Sequence, residues 1–271
     1  MKKNRIATIA LVLIFAAGLA LLLYPTVSDL WNSFHQSRAI TEYTHQVEET
    51  DEETYERLWA EAERYNQELM DDPDRFTMTD ADKAEYEQLL SIDGDGVMGY
   101  VEVPKINCSL PVYHGTDEAA LQVAIGHLEG SSLPTGGKGT HCVLSGHRGL
   151  PSARLFTDLD EMTEGDIFLL KVLDRTMTYE VDQILTVDPY DLDALAIDPD
   201  QDYCTLVTCT PYGINTHRLL VRGHRIPNLP EESVQQAAVN EQTVLIASAA
   251  ALAVSAVVIV VVLLARARRK R

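Results

Sequence analysis

Two unbroken apolar runs bracket the chain, Ile6 to Tyr24 and Thr243 to Ala265, about nineteen and twenty-three residues long. A bilayer core of ~30 Å takes about twenty helical residues, so both are long enough to span it. A cleavable leader is the competing reading of the first run. Its length, and a Tyr24-Pro25 exit with no Ala-x-Ala pattern, favour retention. Between the runs the texture changes twice. From about Asp29 to Leu90 the chain is polar with helical spacing: Tyr55, Leu58, Trp59, Ala62, Tyr65 and Leu69 recur at three- and four-residue steps and predict one packed helix face. Thr79 with Asp82 resembles a capping box opening a second helix through Lys83 and Tyr86 to Leu90. Between them Asp71-Asp72-Pro73-Asp74-Arg75-Phe76 reads as an exposed break, since proline and clustered aspartates stop a helix.

Ser91-Ile92-Asp93-Gly94-Asp95-Gly96 marks the second change. Its aspartates resemble a calcium loop only superficially, because Pro104 stands where the bidentate Glu belongs; a Gly-rich turn is the better reading. Short apolar segments then follow at Val97–Val103, Ser109–Tyr113, His141–Gly146, Asp166–Leu173, Met177–Thr186, Tyr203–Thr208 and Arg218–His224. Helical stretches are expected at Glu118–Ile125 and Ser152–Asp158. Many short strands with Gly and Pro turns predict a mainly β closed barrel or sandwich. The expected order is 1–5 inside the cell, a span at 6–24, a helical arm at 25–90, a barrel at 91–226, a stalk at 227–242, a span at 243–265 and a basic tail at 266–271.

Charge fixes the orientation. Lys2, Lys3 and Arg5 precede the first run, and Arg266, Arg268, Arg269, Lys270 and Arg271 follow the second, so both termini are expected in the cytoplasm and the barrel outside. Of 22 basic and 41 acidic residues, removing those eight terminal cations leaves 14 against 41, a net −27 for the middle. Such a domain does not bind nucleic acid by general attraction. The four cysteines form neither a metal pattern nor a small-scaffold disulfide framework. Cys204 and Cys209 are an odd number of residues apart on one strand and point to opposite faces. Cys108 and Cys142 read as buried thiols.

Three strand ends carry candidate chemistry. Cys209 closes Tyr203–Thr208, a placement that suits a rigid, accessible nucleophile as well as an ordinary core thiol. His147 ends Val143-Leu144-Ser145-Gly146; most such histidines are structural, but a thiol needs an imidazole to form thiolate and to protonate a leaving amine. Arg218 opens a strand nine residues after Cys209, where a hairpin return would aim its guanidinium at a developing oxyanion.

Thr205-Leu206-Val207-Thr208-Cys209 resembles the T-L-x-T-C signature of sortases, with Arg218 where their arginine falls and Ser145-Gly146-His147-Arg148-Gly149 like their histidine motif. The resemblance runs from about Gly99 to Arg225. It implies a closed sortase-type barrel of about eight strands and a catalytic trio of Cys209, His147 and Arg218; with no metal ligand set or phosphate loop in the sequence, no cofactor is expected. His127 resembles a structural position of the family. The helical arm, Cys209–Arg218 as a block and the second span are most similar to class C, the pilus-assembling sortases. That class implies a lid of Asp-Pro-aromatic pattern. Here Asp72-Pro73 is followed by Asp74 and the aromatic arrives at Phe76, a departure from the pattern. The implied lid sets an aspartate, Asp72 or Asp74, near Arg218 and Phe76 over the thiol. The implied chemistry is cleavage of an LPXTG-like sorting signal on pilins or surface proteins, with transfer to a pilin lysine. Transfer to a peptidoglycan precursor amine, or a catalytically inactive scaffold that only binds sorting signals, are the rival readings.

Overall fold

The computed structural model describes residues 2–92, 94 and 96–230, Lys2–Ala10 as helical backbone only. The expected second span, the basic tail, most of the stalk, and Asp93 and Asp95 of the Gly-rich turn lie outside the described residues.

The first element is one helix, α1 (Lys2–Glu49), which carries Pro25 in its interior. Sequence reading placed a boundary at Tyr24-Pro25. The helix continues because its second half is held by the barrel: Asn32 Nδ2 donates to the Ser152 carbonyl at 2.7 Å, and Gln36 Nε2 to that of Val123 at 2.6 Å. Farther along, the buried Tyr43 hydroxyl donates to Met98 O at 3.0 Å and accepts from Leu173 N at 2.7 Å. Three fixed points outweigh the one backbone bond a proline removes. Among the described residues, α1 is the one helix long and apolar enough to cross a membrane.

The predicted arm helices follow. In α2 (Glu52–Met70) Leu58, Trp59, Ala62 and Leu69 are buried, as the spacing requires, and Asp51 caps the start by accepting from Thr54 N. Burying Leu58 and Trp59 stabilises the packed arm by about 1.5–3 kcal/mol each. Asn66 replaces a missing backbone partner: it accepts from Leu133 N at 2.7 Å and donates to Leu133 O at 3.0 Å. The capping box of Thr79 and Asp82 is present at the head of α3 (Asp80–Tyr86). Its helix stops at Tyr86, short of Leu90, which takes a positive φ of 56°.

Eight strands close into a barrel: β1 (Val97–Val103), β2 (Cys108–His114), β3 (Ile125–His127), β4 (Thr140–Ser145), β5 (Ile167–Val172), β6 (Arg175–Val187), β7 (Asp202–Thr210) and β8 (His217–Ile226). Their order around the barrel is β1-β2-β3-β4-β7-β8-β6-β5. Two local expectations are corrected. The stretch from Glu118 is a helix only to Leu121 (α4), and Ile125–His127 is a strand pairing parallel with β2. Gly126 sits there because a Cβ would lie 2.0 Å from Gly115 O. Ser152–Asp158 forms turns instead of a helix: Leu155 has φ 43°, and α1 takes the Ser152 carbonyl and, through Asp29 Oδ1, the Arg154 amide.

Alternation along β4, β7 and β8 divides inside from outside. Cys142, Leu144, Cys204, Leu206, Leu219 and Val221 belong to the main core, and Val143, Val207 and Leu220 to a second apolar cluster. The period of two puts that second cluster on the outer face of the same three strands.

Candidate active site

Strand register assembles the three candidate residues at one end of the sheet. β7 and β8 are antiparallel, and Cys209 is the direct partner of Arg218. β4 and β7 are parallel, with Ser145 level with Val207. Past that pair Gly146 N donates to Val207 O at 3.0 Å, and the buried Thr208 hydroxyl donates back to Gly146 O at 2.7 Å. The register carried two residues beyond Ser145 sets His147 level with Cys209. Cys209 is half-buried on the outer face, while Cys204 is buried in the barrel, so the odd spacing does separate them.

His147 leaves its strand through Gly146, where a Cβ would stand 2.7 Å from both Ile125 Cγ2 and Phe156 Cδ2. The His147 carbonyl accepts from Phe156 N at 3.1 Å. Its ring Nε2 is enclosed and has no hydrogen-bond partner among the described residues; Glu118 Oε2 lies 3.9 Å away, an ion pair only when the imidazole is protonated. A buried ring nitrogen without a partner is costly in a purely structural histidine. Arg218 folds its Nη1 toward the carbonyls of His217 (3.2 Å) and Asn215 (3.5 Å), and no carboxylate pairs with it among the described residues. Most of its donor fork therefore remains free. The loops after β4 and β7 lock together beside the site: Arg148 pairs with Asp160 and lies 5.7 Å from the Tyr212 ring centroid, and Gly149 leaves room for that ring.

The outer-face cluster leads up to this trio. Val143, Val207, Leu220 and Leu195 form it, with Leu128, Leu185, Val187, Ala194 and Phe76 packed against it. Val207 is two residues before Cys209 and Leu220 two after Arg218, so the apolar strip and the reactive groups share one face. Phe76 thus packs onto this outer-face strip. Arg75 fixes it there: Nη1 donates to Gly130 O and Nη2 to Leu195 O, both at 2.8 Å, and the guanidinium lies 4.3 Å over the Phe76 ring. Gly130 has no Cβ because one would stand 2.3 Å from Arg75 O. Asp72 Oδ1 accepts from Asp74 N at 2.8 Å, a local turn, and neither aspartate pairs with Arg218 among the described residues. Sequence reasoning did not single out Arg75; an arginine beside an aromatic in an exposed break carries no signal of its own.

Nor did it single out His141, which ties the β6–β7 crossover to this face. The residue is fully buried; Nδ1 meets the Ala196 carbonyl at 2.9 Å and Nε2 the Thr205 hydroxyl at 2.7 Å. A carbonyl can only accept, so Nδ1 carries the proton and Nε2 accepts from Thr205. Burial pulls its pKa down to about 4 against the pull of the Ala196 carbonyl. His127 is buried too, between the Tyr86 hydroxyl (2.8 Å) and the Ser132 carbonyl (2.8 Å), inside the barrel and off the outer face that bears Cys209. Cys108 is held near Leu155 O, its thiol pushed up to about 12 by burial, which removes it as a thiolate nucleophile.

The family model described as the Sortase domain matches residues 101–226. The chain is similar to the crystal structure of sortase C1 from Streptococcus agalactiae, 54% identical, covering 71% of this chain and 100% of that one with a TM-score of 0.69. It is also similar to Streptococcus pneumoniae sortase C, 46% identical over 71% and 99% of the two chains with a TM-score of 0.64, whose report concerns catalysis and pilin substrate specificity. Clostridium perfringens sortase C, solved with the C-terminal cell wall sorting motif, is 41% identical over 71% and 100%, with a TM-score of 0.63.

Proposed function

Since the chain belongs to the sortase family of cysteine transpeptidases, with class C structural neighbours, we propose that it is a membrane-anchored pilus polymerase whose nucleophile is Cys209. The observation that carries the assignment of roles is the register placing Cys209, His147 and Arg218 on one outer face, with His147 Nε2 unpartnered. The Cys209 thiolate attacks the Thr carbonyl of an LPXTG-like signal, and Arg218 N–H donors stabilise the tetrahedral oxyanion. The Thr–Gly C–N bond breaks as the His147 imidazolium gives its proton to the departing Gly amine, leaving a thioester. An incoming pilin lysine amine loses a proton to His147, attacks the thioester and releases the Cys209 thiolate. The product is an isopeptide.

The segment Asp72, Asp74 and Phe76 acts as a lid in this reading. Phe76 covers the apolar strip that receives the signal's aliphatic side chains, and Arg75, at the position between Asp74 and Phe76, latches it. α1 anchors the enzyme, with the barrel on the extracellular side and both termini in the cytoplasm.

Co-expression with a pilin bearing an LPXTG-like signal tests the assignment. The expected result is a covalent ladder that disappears with Cys209→Ala. Ladders of normal length from that variant refute it. Efficient transfer to a peptidoglycan precursor amine, with none to lysine, refutes the polymerase and leaves a wall-anchoring enzyme.

A further inference from the structure

The apolar surface of α1 does not end where a membrane span of about twenty residues would. Beyond Tyr24, Val27, Leu30, Trp31 and Phe34 are all exposed, Trp31 and Phe34 by 67% and 65%. Their spacing, i, i+3, i+4 and i+7, is a single stripe on the helix. Ala20, Leu23 and Tyr24 lie beside Val27 and Trp31 on the same side of the helix and extend the stripe toward the N-terminus. On the same face the next positions are Arg38, Thr41 and His45, so the stripe turns polar immediately after Phe34. The opposite face is spoken for: Asp29, Asn32 and Gln36 hold Arg154, Ser152 and Val123 of the barrel.

We propose that this stripe is a membrane-docking surface that lies in the headgroup–acyl boundary of the bilayer that α1 enters, so that α1 tilts and the barrel rests on the side of the helix away from the lipid. The proposal rests on the anchoring reading above. Phe34 is ten residues past Tyr24, so an upright helix would lift it about 15 Å beyond the hydrocarbon edge. The polar layer is only about 5–8 Å thick on each side, which would leave Trp31 and Phe34 in water. Shifting the span outward until Phe34 marks its edge would instead drag Asp29 and the Arg154–Asp158 pair into hydrocarbon, where charged side chains cost about 2.5–3.5 kcal/mol each. Tilt satisfies both faces at once. Tryptophan and phenylalanine suit that depth, where an amphipathic helix buries its apolar face about 5–10 Å. Arg38, the next residue in line with Trp31, reaches lipid phosphate from there. The consequence for the enzyme is positional. The loop following His147 attaches to the helix face away from the lipid, so the catalytic end is held roughly one helix diameter, ~10 Å, above the headgroups. That height suits a substrate that is itself tethered to the membrane.

The test is brominated-lipid quenching of the full chain reconstituted in phosphatidylcholine–phosphatidylglycerol vesicles. The chain has two tryptophans, so Trp59→Phe leaves Trp31 as the only one; comparing wild type with Trp31→Phe isolates the same signal should the first variant fold poorly. The expected result is co-flotation with vesicles, a blue-shifted Trp31 emission, and stronger quenching by bromines near the headgroup than by bromines at the bilayer centre. Co-flotation with Trp31 emitting as in water and unquenched overturns the proposal while leaving the anchor intact. Failure to co-float overturns the anchoring reading itself. Quenching that appears only after residues 243–271 are deleted assigns the stripe to the second apolar run and also overturns it.

Discussion

Acidification should loosen the outer face of the barrel that bears Cys209, through a histidine outside the Cys209, His147 and Arg218 trio. His141 is neutral in the folded chain, with its proton on Nδ1 committed to Ala196 and its Nε2 to Thr205. Burial holds its folded pKa at about 4, against about 6.5 when unfolded. Below the unfolded value the denatured chain binds a proton that the native chain refuses, so stability falls with falling pH until about pH 4, where the folded ring also charges. Across the whole window the shift corresponds to about 3 kcal/mol, and between about pH 7.5 and pH 5 the linkage amounts to about 2 kcal/mol. The assay is urea unfolding of the detergent-solubilised chain over that range, for wild type and for His141→Asn, whose amide can still donate to Ala196. The variant should start less stable at neutral pH and show a pH dependence shallower by about 2 kcal/mol over the same interval. Parallel pH profiles for the two proteins would refute the buried neutral imidazole.

Three further outcomes follow from contacts described above. Gly146→Ala forces a methyl against Ile125 and Phe156; it should cost about 1–3 kcal/mol by thermal unfolding, and displacement of His147 should slow single-turnover acylation roughly 100-fold. Arg75→Ala removes two carbonyl bonds and the Phe76 stack, so the proposed lid should open at least about tenfold more often, read as faster peptide acylation and faster proteolysis at residues 71–77. At Asp166, burial raises the carboxyl pKa but the Lys105 ammonium and Thr163 donors outweigh it and hold it below the usual range. Asp166→Asn should therefore lose about 0.5–1 kcal/mol at neutral pH, a modest effect because Lys105 is 35% and Asp166 23% exposed, and the gap should close as pH falls through the folded carboxyl value.

What was legible in the sequence was whatever periodicity or capping chemistry encodes locally. The α2 face, the Thr79–Asp82 box and seven strands all came from spacing alone. β3 was hidden because three residues cannot display a period of two, and its neighbour Glu118–Leu121 carried the stronger helical signal. The Ser152–Asp158 turns look helical by composition, but α1 takes their backbone groups across more than a hundred residues of sequence. The same separation explains the site. Cys209, His147 and Arg218 could be named from strand ends and a family pattern, whereas their adjacency comes from a parallel β4–β7 pairing that no local rule predicts. Arg75 and His141 were missed for a related reason. Both are held by distant backbone carbonyls, which leave no trace in side-chain patterns, and the Thr205 hydroxyl that meets His141 lies sixty-four residues along the chain.

The proposed chemistry turns on Cys209 forming the acyl-enzyme. Incubating the chain with an LPXTG-like peptide, quenching in acid and mapping the adduct by mass spectrometry tests it directly. The expected product is the peptide up to Thr as a hydroxylamine-labile thioester on Cys209, lost in Cys209→Ala and strongly reduced in His147→Ala and Arg218→Ala. An adduct on Cys108, or peptide cleavage that persists in Cys209→Ala, would contradict it.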